Sequence, residues 1–333
     1  MEHFHIQRRQ WLQVGALATG SALLGAPAWA RTDYPTKPIK LIVPFNSGGA
    51  TDIVARSIGE KLATRMGQPV LVDNRAGGSG VTGTDFALKS APDGYTFLIS
   101  LGTTMLINQF LYSKLPYHPQ RDQALMTQIA LAPVTLLVNP KLQVNNATEL
   151  WSHITRNKGK LSYGSWGSGS YSHLACAWIS HNLAADMTHA PYKGEAPMMQ
   201  DLAGGQIDMA FASLQAAKPH IDSGRVKVLA VTGEQRMAAL PQAATLIEQG
   251  IKDEIFRISG WLGMSAPART PTDVLQQVTA EVRAIITLPE IRQRIQTMGF
   301  IPVGNTSEQF AAVIQNDAPI WERVVKLSGA KLD

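Results

Sequence analysis

The chain has 333 residues, a formal net charge of +5 and a single cysteine, Cys176. One cysteine excludes an intramolecular disulfide framework, and basic residues that nowhere form a run of five exclude an electrostatic footprint for nucleic acid. A chain of this length buries one large core or two medium ones.

The first thirty residues read as a signal peptide. Arg8 and Arg9 precede an apolar run from Leu12 to Ala26, and Ala28-Trp29-Ala30 carries the small residues of a cleavage site. Cleavage is expected after Ala30, with export to the periplasm. The arginine pair before Trp11 and Leu12 partly matches a twin-arginine signal, with Gln7 and Gln13 departing from it. The apolar run is short for a bilayer span.

Strand and helix patterns then alternate. Ile39–Phe45 predicts a strand. Asp52–Met66 predicts a helix with Ile53, Val54, Ile58, Leu62 and Met66 on one face and Gly67 as its stop. Val70–Val72 predicts a second strand, followed by a helix to Ser90, a turn at Pro92-Asp93-Gly94 and a strand over Thr96–Ser100. Thr104–Tyr112 reads as a helix and Leu131–Val138 as a buried strand. Further strands are expected at Leu161–Gly164, Thr188–Tyr192, Gln206–Phe211, Val226–Val231 and Gly260–Pro267. Helices are expected over Tyr171–Ala184, Asp273–Thr287, Pro289–Met298 and Ser307–Leu327. Cys176 falls in the first of these as a buried small hydrophobe. Alternation of this kind predicts an α/β fold with mostly parallel sheets covered on both faces.

Three strand-to-helix turns are rich in glycine: Pro44-Phe45-Asn46-Ser47-Gly48-Gly49-Ala50-Thr51-Asp52, Asp73-Asn74-Arg75-Ala76-Gly77-Gly78-Ser79-Gly80 and Gly164-Ser165-Trp166-Gly167-Ser168-Gly169-Ser170. Such turns leave backbone N–H groups free at the positive end of a helix, which suits an anion. Gly78-Ser79-Gly80-Val81-Thr82-Gly83 satisfies the dinucleotide fingerprint, but the next strand ends in Leu101-Gly102-Thr103-Thr104 without the acid that would hold a ribose. The nucleophile elbow, the phosphate-loop lysine and the zinc-binding His-Glu-x-x-His pattern are missing, and no two histidines after residue 30 stand three or four apart. A non-enzymatic protein without metal, nucleotide or other cofactor is expected. Asp52 reads as a cap of the first helix or as a partner for a ligand ammonium. Arg75 reads as a ligand-carboxylate partner or as a bridge to Asp52 or Asp73.

The motifs, taken in order, resemble the Bug-type substrate-binding receptors of tripartite tricarboxylate transporters. The resemblance runs from Tyr34-Pro35-x-Lys37-Pro38 through the three glycine turns. It continues with Pro92-Asp93-Gly94-Tyr95-Thr96, Leu115-Pro116-Tyr117, His173-Leu174, Pro191-Tyr192-Lys193-Gly194 and Asp201-Leu202-x-Gly204-Gly205-Gln206-Ile207-Asp208, and ends at Gly260-Trp261-x-Gly263 and Ala266-Pro267. It implies a two-domain type II periplasmic-binding-protein (Venus flytrap) fold, with residues 31–130 plus about 258–333 in domain I and about 131–257 in domain II. It further implies a monomeric receptor that closes on a small carboxylate, a di- or tricarboxylate or an aromatic acid, and presents it to membrane subunits. A signalling partner in place of a transporter is the alternative, and a nicotinamide oxidoreductase a weaker one.

Carried over, the candidate ligand-binding residues of the first domain are Phe45, Asn46, Ser47, Gly48, Gly49, Asp52, Arg75, Gly77, Gly78, Gly80 and Thr103. Those of the second are Ser165, Trp166, Gly167, Ser168, Gly169, Ser170, His173 and Asp208. Asn46, Ser47, Trp166, Ala177 and Gln123-Ala124-Leu125 depart from the family pattern.

Overall fold

A computed structural model describes residues 34–332; the expected signal peptide and its cleavage after Ala30 lie outside the described residues. The elements of the first part are β1 (Ile39–Val43), α1 (Ala50–Met66), β2 (Val70–Asn74), α2 (Val81–Leu88), β3 (Thr96–Leu101), α3 (Asn108–Leu111, entered through a π turn at Thr103–Ile107), α4 (Pro119–Asp122) and β4 (Gln123–Ala132). Then follow β5 (Thr135–Val138), α5 (Ala147–Arg156), β6 (Ser162–Ser165), α6 (Tyr171–Asn182), β7 (Thr188–Pro191), α7 (Glu195–Gly204), β8 (Met209–Ala212), α8 (Leu214–Asp222), β9 (Lys227–Val231) and α9 (Glu254–Arg257). The chain ends with β10 (Gly260–Pro267), α10 (Thr272–Ile286), α11 (Pro289–Thr297), β11 (Ile301–Pro302) and α12 (Ser307–Ser328).

The strands form two sheets, one in the order β11-β4-β10-β3-β1-β2 and one in the order β7-β6-β8-β5-β9. β1 lies parallel to β2 and β3, with Leu41 opposite Val72 on one side and Phe97 on the other. Ile39, Leu41, Ile42 and Val43 are all buried, the near-continuous apolar run of a strand covered on both faces. α1 buries Val54, Ile58 and Leu62, spaced four apart along one face, and Gly67 stops it in the left-handed conformation with its N–H on Ala63 O.

Two expectations are corrected. The sheets are mixed: β10 runs antiparallel to β3 and β4, and β5 runs antiparallel to β8 and β9. The reason is topological, since strands that pass between the sheets enter each one against the direction of its strand–helix–strand units. The expected strand over Leu131–Val138 is two strands, broken at Pro133, which has no N–H to give a ladder. There the chain leaves the first sheet for the second, and Val134 pairs with Thr232 through Val134 N–H to Thr232 Oγ1 and Thr232 N–H to Val134 O, both 3.0 Å.

α12 starts with a capping box of Thr306 and Gln309. It packs on β4 in the first sheet and on α6 beside the second. Its Trp321 meets Tyr171 edge-on, with ring centroids 5.7 Å apart. Trp261 on β10 meets Phe310 of α12 in the same way at 5.0 Å and 89°, an arrangement worth about 0.5–1.5 kcal/mol beyond area burial. Cys176 is fully buried, and burial pushes its thiol pKa up.

Candidate functional site

The carboxyl ends of parallel strands are where an α/β sheet opens a crevice. Here that crevice is a cavity of about 360 Å³. Phe45 and Gly49 to Thr51 form one wall, with Leu101 to Thr103 at the end of β3. The two crossing segments, Ala132 to Val134 and Ser259 to Trp261, contribute to its lining. Trp166, Tyr171, Glu195 and Ser213 come from elements of the second sheet, and Trp321 from α12.

The first glycine turn brings the start of α1 to this cavity. Gly49 occupies the N-cap position without any side-chain cap, and the first backbone N–H bonded in the usual helical manner is that of Ile53, to Gly49 O at 3.0 Å. The amides of Ala50 and Thr51 precede it and have no intrahelical acceptor. Asp52 does not line the cavity and is engaged within the turn. Its Oδ2 accepts from Gly48 N–H at 2.8 Å and Arg56 Nε at 3.0 Å, and its Oδ1 accepts from Asn74 Nδ2 at 3.0 Å. Burial works against its charge, but the Arg56, Gly48 and Asn74 bonds outweigh that and hold the carboxyl below its usual range. The carboxylate therefore fastens the turn to the end of β2. Asn46, Ser47 and Gly48 are exposed beside the cavity lining.

The second glycine turn stands behind the first. Gly77, Gly78 and Gly80 do not line the cavity. Gly80 has φ +87°, and a Cβ there would come within 2.5 Å of Thr104 Cγ2 and 3.2 Å of the Phe45 ring. Close approach at Gly80 thus sets Phe45 on the cavity wall. Arg75 donates from Nε to Asp73 at 2.9 Å and lies over the Phe86 ring at 3.5 Å, off the cavity lining. The bridge to Asp73, one of the readings left open for Arg75, is present.

The third turn is held by histidines. His173 Nδ1 accepts from Gly169 N–H at 3.0 Å, and the ring stacks on His189 with centroids 4.0 Å apart. His189 Nε2 lies 2.7 Å from Ser165 Oγ. Burial, then the neighbouring His189, lowers the His173 pKa to about 4, and burial also lowers that of His189. Both rings are neutral at pH 7, as the acceptor role of His173 Nδ1 requires. Ser170 N-caps α6, and its N–H bonds to Gly167 O. A Cβ at Gly169 would approach Leu111 to 2.7 Å, so the turn abuts α3 of the first part. Ser168 is exposed, and within this turn Trp166 is the residue that reaches the cavity lining. Asp208 sits at the opposite end of its sheet. Because β6 and β8 run parallel, the residue before β8 lies beside Ser162 at the start of β6, where it accepts from Ser162 N–H and Oγ at 2.8 and 3.0 Å.

The sequence reading did not single out Glu195, Ser213, Ser259, Tyr171 and Trp321. Glu195 accepts from Ser213 N–H at 2.7 Å and Ser213 Oγ at 2.6 Å. Burial raises its pKa and the Ser213 bonds only partly offset this. Among the described residues that line the cavity it is the one charged side chain. A signal existed: Tyr192-Lys193-Gly194 is a fourth strand-to-helix glycine turn, with Glu195 in the first position of its helix.

The family model of the tripartite tricarboxylate transporter family receptor matches residues 54–330. The chain is 32% identical over 322 residues to the protein BugT of Bordetella pertussis (strain Tohama I), covering 96% of this chain and 98% of that one. The solved periplasmic binding protein BugD is similar with a TM-score of 0.75 at 31% identity, over 90% of this chain and 99% of that one. The R. palustris protein Rpa4515, solved with adipate, is similar with a TM-score of 0.79 at 31% identity, again over 90% and 99%. Strand-end turns facing one crevice, a fold shared along nine-tenths of the chain and a family match over most of its length agree: this chain belongs to the receptor family of the tripartite tricarboxylate transporters, a family of extracytoplasmic solute-binding proteins.

Proposed function

We propose that the protein captures a small carboxylate, a dicarboxylate, tricarboxylate or aromatic acid, between two lobes and presents it to transporter subunits in the membrane. The observation that carries this is the uncapped start of α1 on the cavity wall, where Gly49, Ala50 and Thr51 present amides at the positive end of a 17-residue helix. The adipate in the R. palustris relative supports the ligand class. The proposed lobes are residues 31–130 plus about 258–333, and about 131–257. The second lobe closes only when a ligand supplies contacts to both, which is the differential interaction a conformational switch needs.

A thermal-shift panel tests this. A ligand at a hundred times its Kd stabilises the folded state by about 2.7 kcal/mol, roughly several degrees in a chain of this size. Among succinate, malate, citrate, adipate, glutamate, nicotinate and terephthalate at least one acid gives that shift. Gly49→Val abolishes it while the unliganded melting temperature holds. Gly49 has φ −76°, which any residue adopts, and a Cβ there meets only Asn46 O at 3.6 Å. Shifts from sugars alone, or from arginine alone, refute the carboxylate assignment.

A further inference from the structure

We propose that the ligand is an acid with an aromatic body and a hydrogen-bond donor, hydroxyl or ammonium, at its far end, and that Glu195 selects for that donor. The inference rests on the carboxylate reading and narrows it. Two observations carry it. First, the cavity walls are aromatic: Phe45, Trp166, Trp261 and Trp321 line it together, which suits a flat apolar body better than a short, highly charged one. Second, the described lining residues include no Lys, Arg or His, so no cation is available to a second carboxylate. Glu195 is the charged group instead, and each of its two oxygens already accepts from Ser213. A carboxylate offers about four acceptor sites, so Glu195 retains capacity toward the cavity, and only for donors. Ser213 donates to both oxygens, which favours the ionised form, and against that form a ligand carboxylate would meet a like charge in a partly desolvated site.

Calorimetric titration of the full exported protein with benzoate, 4-hydroxybenzoate, 4-(aminomethyl)benzoate and terephthalate decides it, because these differ only at the far end. The expected result is that one donor-bearing acid binds at least tenfold more tightly than both benzoate and terephthalate. Glu195→Gln, which keeps an acceptor for Ser213, narrows that preference to threefold or less and raises the affinity for terephthalate. The unliganded melting temperature of Glu195→Gln is recorded alongside, so that a folding defect is not mistaken for lost selectivity. Terephthalate or benzoate binding the wild type as tightly as the donor-bearing acids overturns the inference and leaves the carboxylate reading standing, as does a preference that survives Glu195→Gln. A protein that binds none of these acids and none of the aliphatic ones overturns both.

Discussion

The first and third glycine turns are built from the same local grammar, a strand running through glycines and small polar residues into a helix, yet they end with different electrostatics. In the first, a buried charge does the fastening. Asp52 takes Gly48, Arg56 and Asn74, and the start of α1 is left without a cap on the cavity wall. In the third, neutral rings do the fastening. His173 and His189 are stacked and buried. They hold Gly169 and Ser165, while Ser170 caps its own helix. The difference teaches that a glycine turn becomes an anion site only when its amides are left unspent. The first turn offers them, and the third spends several internally and contributes a wall in Trp166.

The comparison breaks most visibly with pH. His173 has its pKa lowered from 6.5 to about 4 in the folded protein. Between those values the unfolded chain binds more protons than the native one, so stability is complete above pH 6.5 and falls as pH drops through this window. The size is up to about 3 kcal/mol, and His189 acts with the same sign. Asp317 opposes it. Burial, which the Trp261 hydrogen bond only partly offsets, raises its carboxyl to about 6, so its contribution falls as pH rises from about 4 to 6. Urea denaturation at pH 7 and pH 4.5 should show a loss in the wild type, a flatter profile in His173→Gln and a steeper one in Asp317→Asn. An unchanged profile in His173→Gln would remove the histidine pair from the account.

At the first turn the corresponding test is Asp52→Asn. One acceptor oxygen is lost and an amide donor is turned toward Gly48, Arg56 or Asn74, all of them donors to this side chain. The expected cost is about 2 kcal/mol at pH 7, with ligand affinity falling as the start of α1 loosens. Stability equal to that of the wild type would show that the turn does not depend on its charge. The smallest effect is expected at Arg75. Its ion pair with Asp73 is well exposed at both ends, so Arg75→Gln should cost about 0.5 kcal/mol or less and leave carboxylate affinity within twofold. A tenfold loss of affinity would restore Arg75 as a ligand contact.

Much of the fold was legible in the residues. Val54, Ile58 and Leu62 mark the buried face of α1 and Gly67 its stop, and α12 begins at Ser307 as expected, all through interactions within a few residues. β4 was not legible. Gln123-Ala124-Leu125-Met126-Thr127-Gln128 mixes polar and apolar residues without a period, because its neighbours come from far along the chain: Pro267 to Met264 on one side, and Asn305, whose side chain accepts from Gln128 N–H, beyond it.

At the site, the sequence located the turns, and the structure separates the turn residues that line the cavity from those that do not. Phe45, Gly49, Thr103 and Trp166 line the cavity. Asp208 stood out in a motif and lies at the start of a parallel pair, away from the cavity lining, which spacing along the chain does not reveal. Local chemistry specifies where a strand turns into a helix, which glycines accept a positive φ, and the ordered motifs that identify the receptor family. Which amides stay free, which rings meet across the cavity, and that Glu195 faces it beside Ser213 follow from packing. Those contacts join residues separated by tens to hundreds of positions, and no local period records them.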